Sequence, residues 1–96
     1  IHNGKSCKIG DDQNPFPLAG GHFNPTDTIH GNHAGDFPSL MAMSNNIAII
    51  KFMTDKFTLQ DVIGLPVVIH QSPDDFRTDP DGNSGLKIAC GIIKAY

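Results

Sequence analysis

"LPVVIHQSPDDFRTDPDGNSGLKIACGIIKAY", residues 65–96, joins two short apolar segments through a long polar one. "LPVVIHQ" (65–71) is β-branched and too short for an independent helix, so it reads as a strand. "LKIACGIIKAY" (86–96) closes as a second strand, with Gly91 marking a bulge or a close backbone approach. Between them "SPDDFRTDPDGNSG" (72–85) carries Pro, Asp, Gly, Asn and Ser, the residues of turns and loops. The alternation in "VVIH" puts Val68 and His70 on one face of the first strand.

Working outward, the rest of the chain follows the same pattern. "FTLQDVIG" (57–64) alternates loosely and counts as a weaker strand. "SLMAMS" (39–44) and "NIAIIKFMT" (46–54) are separated by little more than Asn45, which predicts a hairpin. Residues 3–36 show no sustained periodicity and are dominated by Gly, Asn, Asp, Pro and His. A structureless stretch of that length in a small domain is unusual and generally functional. The expected fold class is all-β, with strands carrying two long loops. Four or five short strands without a covering helix make one sheet with an open face. That leaves two arrangements: a second copy of the chain covers the face, as in a homodimer, or the chain is part of a larger domain.

Composition agrees. Ninety-six residues allow a single small domain. All 10 acidic residues are Asp, a turn and cap former, and none is Glu, a helix former. Ten Gly and 7 Pro add turns. The formal charge of −3 argues against nucleic acid or an anionic membrane as a partner, since both select basic faces. No apolar run approaches the length of a membrane span, and no basic-then-apolar leader opens the sequence. The two cysteines, Cys7 and Cys90, are too far apart for a CxxC motif. They are either two unrelated buried thiols or a disulfide between the N-terminal loop and the C-terminal strand, which would imply an oxidising compartment.

The five histidines carry the chemistry. A lone loop histidine is ordinarily a solvated side chain, but His22, His30, His33 and Asp36 place four nitrogen or oxygen donors within fifteen residues. Neutral imidazoles with one carboxylate suit Zn²⁺ in a closed tetrahedral site. The spacing of three from His30 to His33 to Asp36 also fits a helix face, but Gly31, Gly35 and Pro38 oppose a helix. A wrapped loop that folds its donors around an ion is the expected form. His2 and His70 stand apart; His70 on its own is an ordinary strand-edge histidine. Together with one loop histidine they would make an all-imidazole site suited to copper.

Several segments, in order, resemble the Cu,Zn superoxide dismutase family. "IHNGKSC" (1–7) resembles the end of its H-x-H strand and the following cysteine, at a spacing like that of the bacterial enzymes. "GGHFNP" (20–25) resembles the segment around its bridging histidine, and "HAGDFPSL" (33–40) its zinc-ligand segment. "VVIHQSPDD" (67–75) resembles its V-V-x-H strand end with the following D-D, and "GNSGLKIACG" (82–91) its G-N-x-G-x-R-x-A-C-G signature. The resemblance implies a Greek-key β-barrel, of which residues 1–96, as a single partial domain, supply the later strands and the metal-binding and electrostatic loops.

It also implies an enzyme that disproportionates superoxide to O₂ and H₂O₂, with copper and zinc as cofactors. By position, His2, His22 and His70 fall on copper ligands, and His22, His30, His33 and Asp36 on zinc ligands, so His22 would bridge both metals and act as proton donor. Asp74 falls on the carboxylate that links a copper-ligand histidine to a zinc-ligand histidine. Cys7 and Cys90 fall on the family's intrasubunit disulfide. That points to an extracytoplasmic location (periplasmic, cell-envelope or secreted), with the cytoplasm as the alternative because this family can keep its bridge there.

Three departures stand out. The family's fourth copper histidine would lie two residues before His2, ahead of Ile1. Lys87 stands where the family has an active-site Arg, keeping the charge but losing the planar fork; Arg77 is a candidate substitute. Only two residues separate His30 from His33, where relatives commonly have a longer insert. Two other functions compete with the enzyme reading: a non-catalytic paralogue that keeps zinc but binds copper only weakly, and a zinc-stabilised structural or adhesion module.

Overall fold

A computed structural model describes residues 1–95 of the chain; Tyr96, the end of the expected last strand, lies outside them. The fold is all-β in class, one strand pair with two short helical turns, and most residues lie in loops and turns. Strand β1 (Pro66–His70) pairs antiparallel with β2 (Lys87–Ile92), Val68 lying opposite Cys90 and Pro66 opposite Ile92. Both strands fall where the β-branched segments predict them, and residues 72–85 form the loop between them.

The ladder is irregular at one place. Ile69 pairs with Ala89 and His70 with Lys87, so Ile88 is the extra residue of a bulge. The bulge therefore sits beside His70, not at Gly91, which pairs regularly with Val67 and has open space where a Cβ would be.

Residues 1–4 extend this sheet without forming a named strand. The His2 N–H donates to the Pro66 carbonyl (2.8 Å), while Asn3 and Gly4 donate to Gly21 (2.8 Å) and Ala19 (2.7 Å). Phe23 N–H donates to Ile1 (2.9 Å), and Gly35 N–H to Phe23 (2.9 Å). The N-terminal strap is thus laced between β1 and the segment 19–23, and that segment in turn anchors the turn that ends at Gly35. This lacing brings His2 and His22 opposite each other as an isolated β-bridge.

Two other expectations change. Residues 57–64 are not a strand: Leu59–Val62 form one turn of helix, α1. Asp61 explains it, since its carboxylate accepts the Thr58 N–H (2.8 Å) and caps the first turn. Val62 is the residue of the turn that buries, and Leu59 stays 76% exposed. The hairpin expected over 39–54 shrinks to one bridge, Ala42 to Ala48, closed by Met43 N–H to Ile47 (2.8 Å).

The core is small. Ile1, Val62 and Leu65 pack with Phe23, Phe37, Phe57 and Ile93. Phe37 stacks edge-on against Phe52, with ring centroids 4.7 Å apart, which attaches the 40–53 segment to the core. The expected sheet of four or five strands reduces to the β1–β2 pair, and the exposed apolar side chains lie largely on the irregular 40–53 segment, where Met41, Ile49 and Met53 are 76%, 72% and 99% exposed. The Cys7–Cys90 disulfide is formed, with Cα atoms 5.5 Å apart, and ties the strap to β2.

Candidate metal centre

All five histidines converge where the strap, the 20–36 loop and the 72–85 loop meet. Within the 20–36 loop the backbone wraps in turns, Asn32 N–H to Ile29 (3.1 Å) and Asp36 N–H to His33 (3.1 Å), rather than in a helix. Asp36 shapes this wrap itself, since its Oδ2 accepts the N–H of Gly31 (2.8 Å) and of His33 (3.2 Å).

The result is a cluster of four donors. His22 Nδ1 lies 3.1 Å from His33 Nδ1, and Asp36 Oδ1 lies 3.0 Å from the first and 3.3 Å from the second. His30 Nδ1 faces the same point, 3.5 Å from Asp36 Oδ2. One ligand atom from each of His22, His30, His33 and Asp36 fits within 4.8 Å of the others. A second group, His2, His22 and His70, meets the same limit, so His22 belongs to both. With its Nδ1 turned to Asp36 and His33, Nε2 is the nitrogen His22 has left for the second group.

Hydrogen bonding fixes which nitrogens carry protons. A backbone carbonyl only accepts, so Nδ1 of His2, 2.7 Å from the Gly20 oxygen, and Nδ1 of His70, 3.1 Å from the Gly85 oxygen, must be the protonated ones. In the neutral rings both Nε2 atoms then bear lone pairs, yet they face each other at 3.1 Å. Two acceptors at that distance repel unless a cation lies between them. His30 repeats the pattern. Its Nε2 donates to the Asp74 carboxylate (2.8 Å), which leaves Nδ1 as a bare lone pair, buried and without a partner. An orphaned buried acceptor costs about 1–3 kcal/mol, and a metal ion at the cluster would satisfy it. The residues therefore fit two cations: a three-imidazole and one-carboxylate set of the zinc type, and an all-imidazole set of the copper type.

The electrostatics act differently on the two groups of donors. Burial pushes the His2 imidazole down to about 4, so it is a neutral donor at pH 7. His70 is also lowered, first by burial, with the neighbouring His22 and Lys87 adding to it. Burial acts the same way on His30, but the Asp74 hydrogen bond and the charges of Asp36, Asp74 and Asp81 outweigh it and raise its value. Burial would raise the Asp36 carboxyl; contacts with His22, Gly31 N–H and His33 reverse that and hold it at about 2.

The loop 72–85 adds the outer partners. Asp74 reaches His30 and, among the described residues, no copper-type histidine, so one half of its expected link is present. Gly82 is buried at φ +66°, and a Cβ there would collide with the Asp74 carboxylate and the His30 ring. Lys87, opposite His70 in the ladder, lines a cleft of about 230 Å³ with His2, His22 and His70. Arg77 is exposed and does not line it. Sequence reading did not single out the Gly20 and Gly85 carbonyls or Asp79, whose Oδ1 accepts the His30 N–H (2.8 Å).

The chain is similar to known proteins over nearly its whole length. The family described as copper/zinc superoxide dismutase (SODC) matches residues 1–93. A "Superoxide dismutase [Cu-Zn] 2" of Aquifex aeolicus (strain VF5) is 36% identical, covering 98% of this chain and 61% of the relative. The "Superoxide dismutase [Cu-Zn]" of Deinococcus radiodurans is 33% identical, covering 99% and 61%. The "Superoxide dismutase-like protein YojM" of Bacillus subtilis (strain 168) is 36% identical, covering 97% and 53%. The chain thus spans about three fifths or less of the length of these relatives.

Proposed function

Because the chain belongs to the copper/zinc superoxide dismutase family, we propose that its histidine cluster disproportionates superoxide, two superoxide anions and two protons giving O₂ and H₂O₂. The observation that carries this reading is the paired set of donors sharing His22, with facing lone pairs on His2 and His70 and a buried orphan on His30. His2, His22 and His70 would hold copper; His22, His30, His33 and Asp36 would hold zinc. Copper bound there supplies one-electron redox chemistry, and zinc supplies charge and order in a loop with little core of its own.

The chain's own residues do the rest. His22 keeps Nδ1 at Asp36 and His33, so its Nε2 is free to take up a proton and pass it to the reduced substrate. Asp74 holds the Nε2 proton of His30 and fixes the tautomer that presents Nδ1. Lys87 supplies positive charge in the lining of the cleft, which a chain of net charge −3 needs in order to draw in an anion. Lys87→Gln is expected to slow superoxide removal on the order of 10-fold at low salt and to flatten its ionic-strength dependence, whereas Lys87→Arg keeps both. A salt profile unchanged in Lys87→Gln would remove Lys87 from this role.

The same proposal makes residues 1–96 the later part of one domain, with the apolar side chains exposed along 41–53 forming the face that its other strands cover. The Cys7–Cys90 disulfide supports an extracytoplasmic address. Among the described residues no helix is long and apolar enough to cross a membrane.

The test is to load the protein with zinc alone or with zinc and copper and follow superoxide decay. Activity only in the doubly loaded form supports the enzyme. Equal rates in the two forms would assign the chain to a zinc-binding, non-catalytic role instead. In parallel, Cu²⁺ should give a visible band that His70→Ala shifts or abolishes; a band indifferent to His70 contradicts the copper site.

A further inference from the structure

We propose that Asp79 is the positioning residue for His33, holding the proton on its Nε2 so that Nδ1 faces the metal cluster as a bare donor. The proposal rests on the zinc-site reading above and extends it to a residue outside that ligand set.

The argument begins with the outward-facing nitrogens. A metal-binding imidazole ordinarily donates its other N–H to a carboxylate, carbonyl or water, which fixes its tautomer and ring orientation. His2 has the Gly20 carbonyl, His70 has the Gly85 carbonyl and His30 has Asp74. His22 is shared between the two donor groups and needs no such partner. His33 is the one left. Its Nδ1 is committed inward, 3.1 Å from His22 Nδ1 and 3.3 Å from Asp36 Oδ1. Its Nε2 points outward, and Asp79 Oδ1 stands 3.9 Å from it. Among the described residues that nitrogen makes no hydrogen bond, and Asp79 is the carboxylate paired with it.

Asp79 is already anchored for the task. The same Oδ1 accepts the backbone N–H of His30 at 2.8 Å, so the carboxylate is tied to the wrap between His30 and His33. Its side chain is 57% exposed while that of His33 is 3% exposed, so Asp79 closes the outer side of a buried ring. The gap to Nε2 is about 1 Å longer than a hydrogen bond, within reach of a small side-chain adjustment. Asp79 thereby couples the 72–85 loop to the His30–Asp36 wrap, as Asp74 does through the His30 ring. Each zinc-type histidine that is not shared then has its own carboxylate from that one loop.

Two measurements on copper-free protein test this. Zinc affinity is read by competition with a chelator, and the ring N–H signals of zinc-loaded protein by ¹⁵N-edited NMR. Asp79→Ala is expected to weaken zinc binding roughly 10–100-fold and to broaden or lose the His33 Nε2–H signal, leaving the His30 Nε2–H signal in place. Asp79→Glu should restore the His33 signal. Asp75→Ala is the control for loop loosening: Asp75 accepts from Arg77 N–H (2.8 Å) and Thr78 N–H (2.9 Å) and reaches no histidine. It should leave the His33 signal unchanged. Wild-type affinity and an intact His33 signal in Asp79→Ala overturn the assignment, as does an equal loss of that signal in Asp75→Ala. A wild-type protein that takes up no zinc through His22, His30, His33 and Asp36 overturns the site reading and this proposal together; an indifferent Asp79→Ala in a zinc-binding protein overturns this proposal alone.

Discussion

Replacing His22 with alanine is expected to abolish superoxide removal and to weaken zinc binding by more than the roughly 10–100-fold that loss of an outer hydrogen-bond partner costs. Among the described residues no other contributes to both donor groups. Removing the ring takes one of four donors from the acidic cluster and one of three from the imidazole cluster. It also leaves Asp36 Oδ1 and His33 Nδ1 without their nearest ring partner. On the proposed role, the proton-carrying Nε2 goes with the ring, so restoring metal occupancy at high concentration should not restore the rate. This separates His22→Ala from Asp36→Ala, which removes a single donor from the zinc-type set and leaves the proton carrier in place. The measurements are metal content after dialysis against a chelator and superoxide decay with both metals in excess. A His22→Ala protein that decays superoxide within severalfold of wild type would show that the shared imidazole is not the centre of the chemistry.

How much of this was legible beforehand depended on whether a feature is written in residue types. The strands at 66–70 and 87–92 are, because β-branched runs bounded by Pro, Asp, Asn and Gly have little other use. The donors are also written there, because five His, three of them with an Asp in one loop stretch, are conspicuous in a chain of this size. The one-turn helix at Leu59–Val62 was missed because its sole signal is Thr58 and Asp61 capping four residues whose pattern also fits a strand. The bulge at Ile88 was misplaced to Gly91 because glycine permits a bulge but does not require one, and the register was set by where the loop returns. The outer partners were least legible. The carbonyls of Gly20 and Gly85 have no side-chain signature, and Asp79 is one of ten aspartates, distinguished only once the 72–85 loop lies against the His30 wrap. The sheet layout also explains why His2 and His70, 68 positions apart, meet: the strap bonds to Pro66 at the start of β1, whose last residue is His70.

Cys7→Ser is expected to destabilise the protein by about 2–5 kcal/mol, as for other small domains that lose a native disulfide, and to lower its Tm by at least roughly 10 °C. The bond closes a separation of 83 residues, nearly the whole chain, so in the chain-entropy account it removes much of the freedom of the unfolded state. The rest of the structure has little with which to compensate, since its buried apolar core is Ile1, Val62 and Leu65 with a few half-buried neighbours. The effect should also reach the metal centre. Cys7 ends the strap that begins with Ile1 and His2, and that strap is otherwise held by backbone bonds with Pro66, Gly21, Phe23, Ala19 and Leu18 and by the Ile1 ammonium on the Gly35 carbonyl. Cys90 lies opposite Val68, two residues before His70 on β1. The disulfide thus ties the strand region carrying His70 to the strap carrying His2, and cutting it should loosen the imidazole group more than the His30–Asp36 wrap. The expected result is a Cu²⁺ affinity that falls further than the Zn²⁺ affinity, with reduced wild type matching Cys7→Ser and Cys90→Ser adding nothing in the double variant. Unchanged melting under oxidising conditions would contradict the stabilising role. Equal losses for both metals would show that the disulfide acts on the domain as a whole and not through the strap.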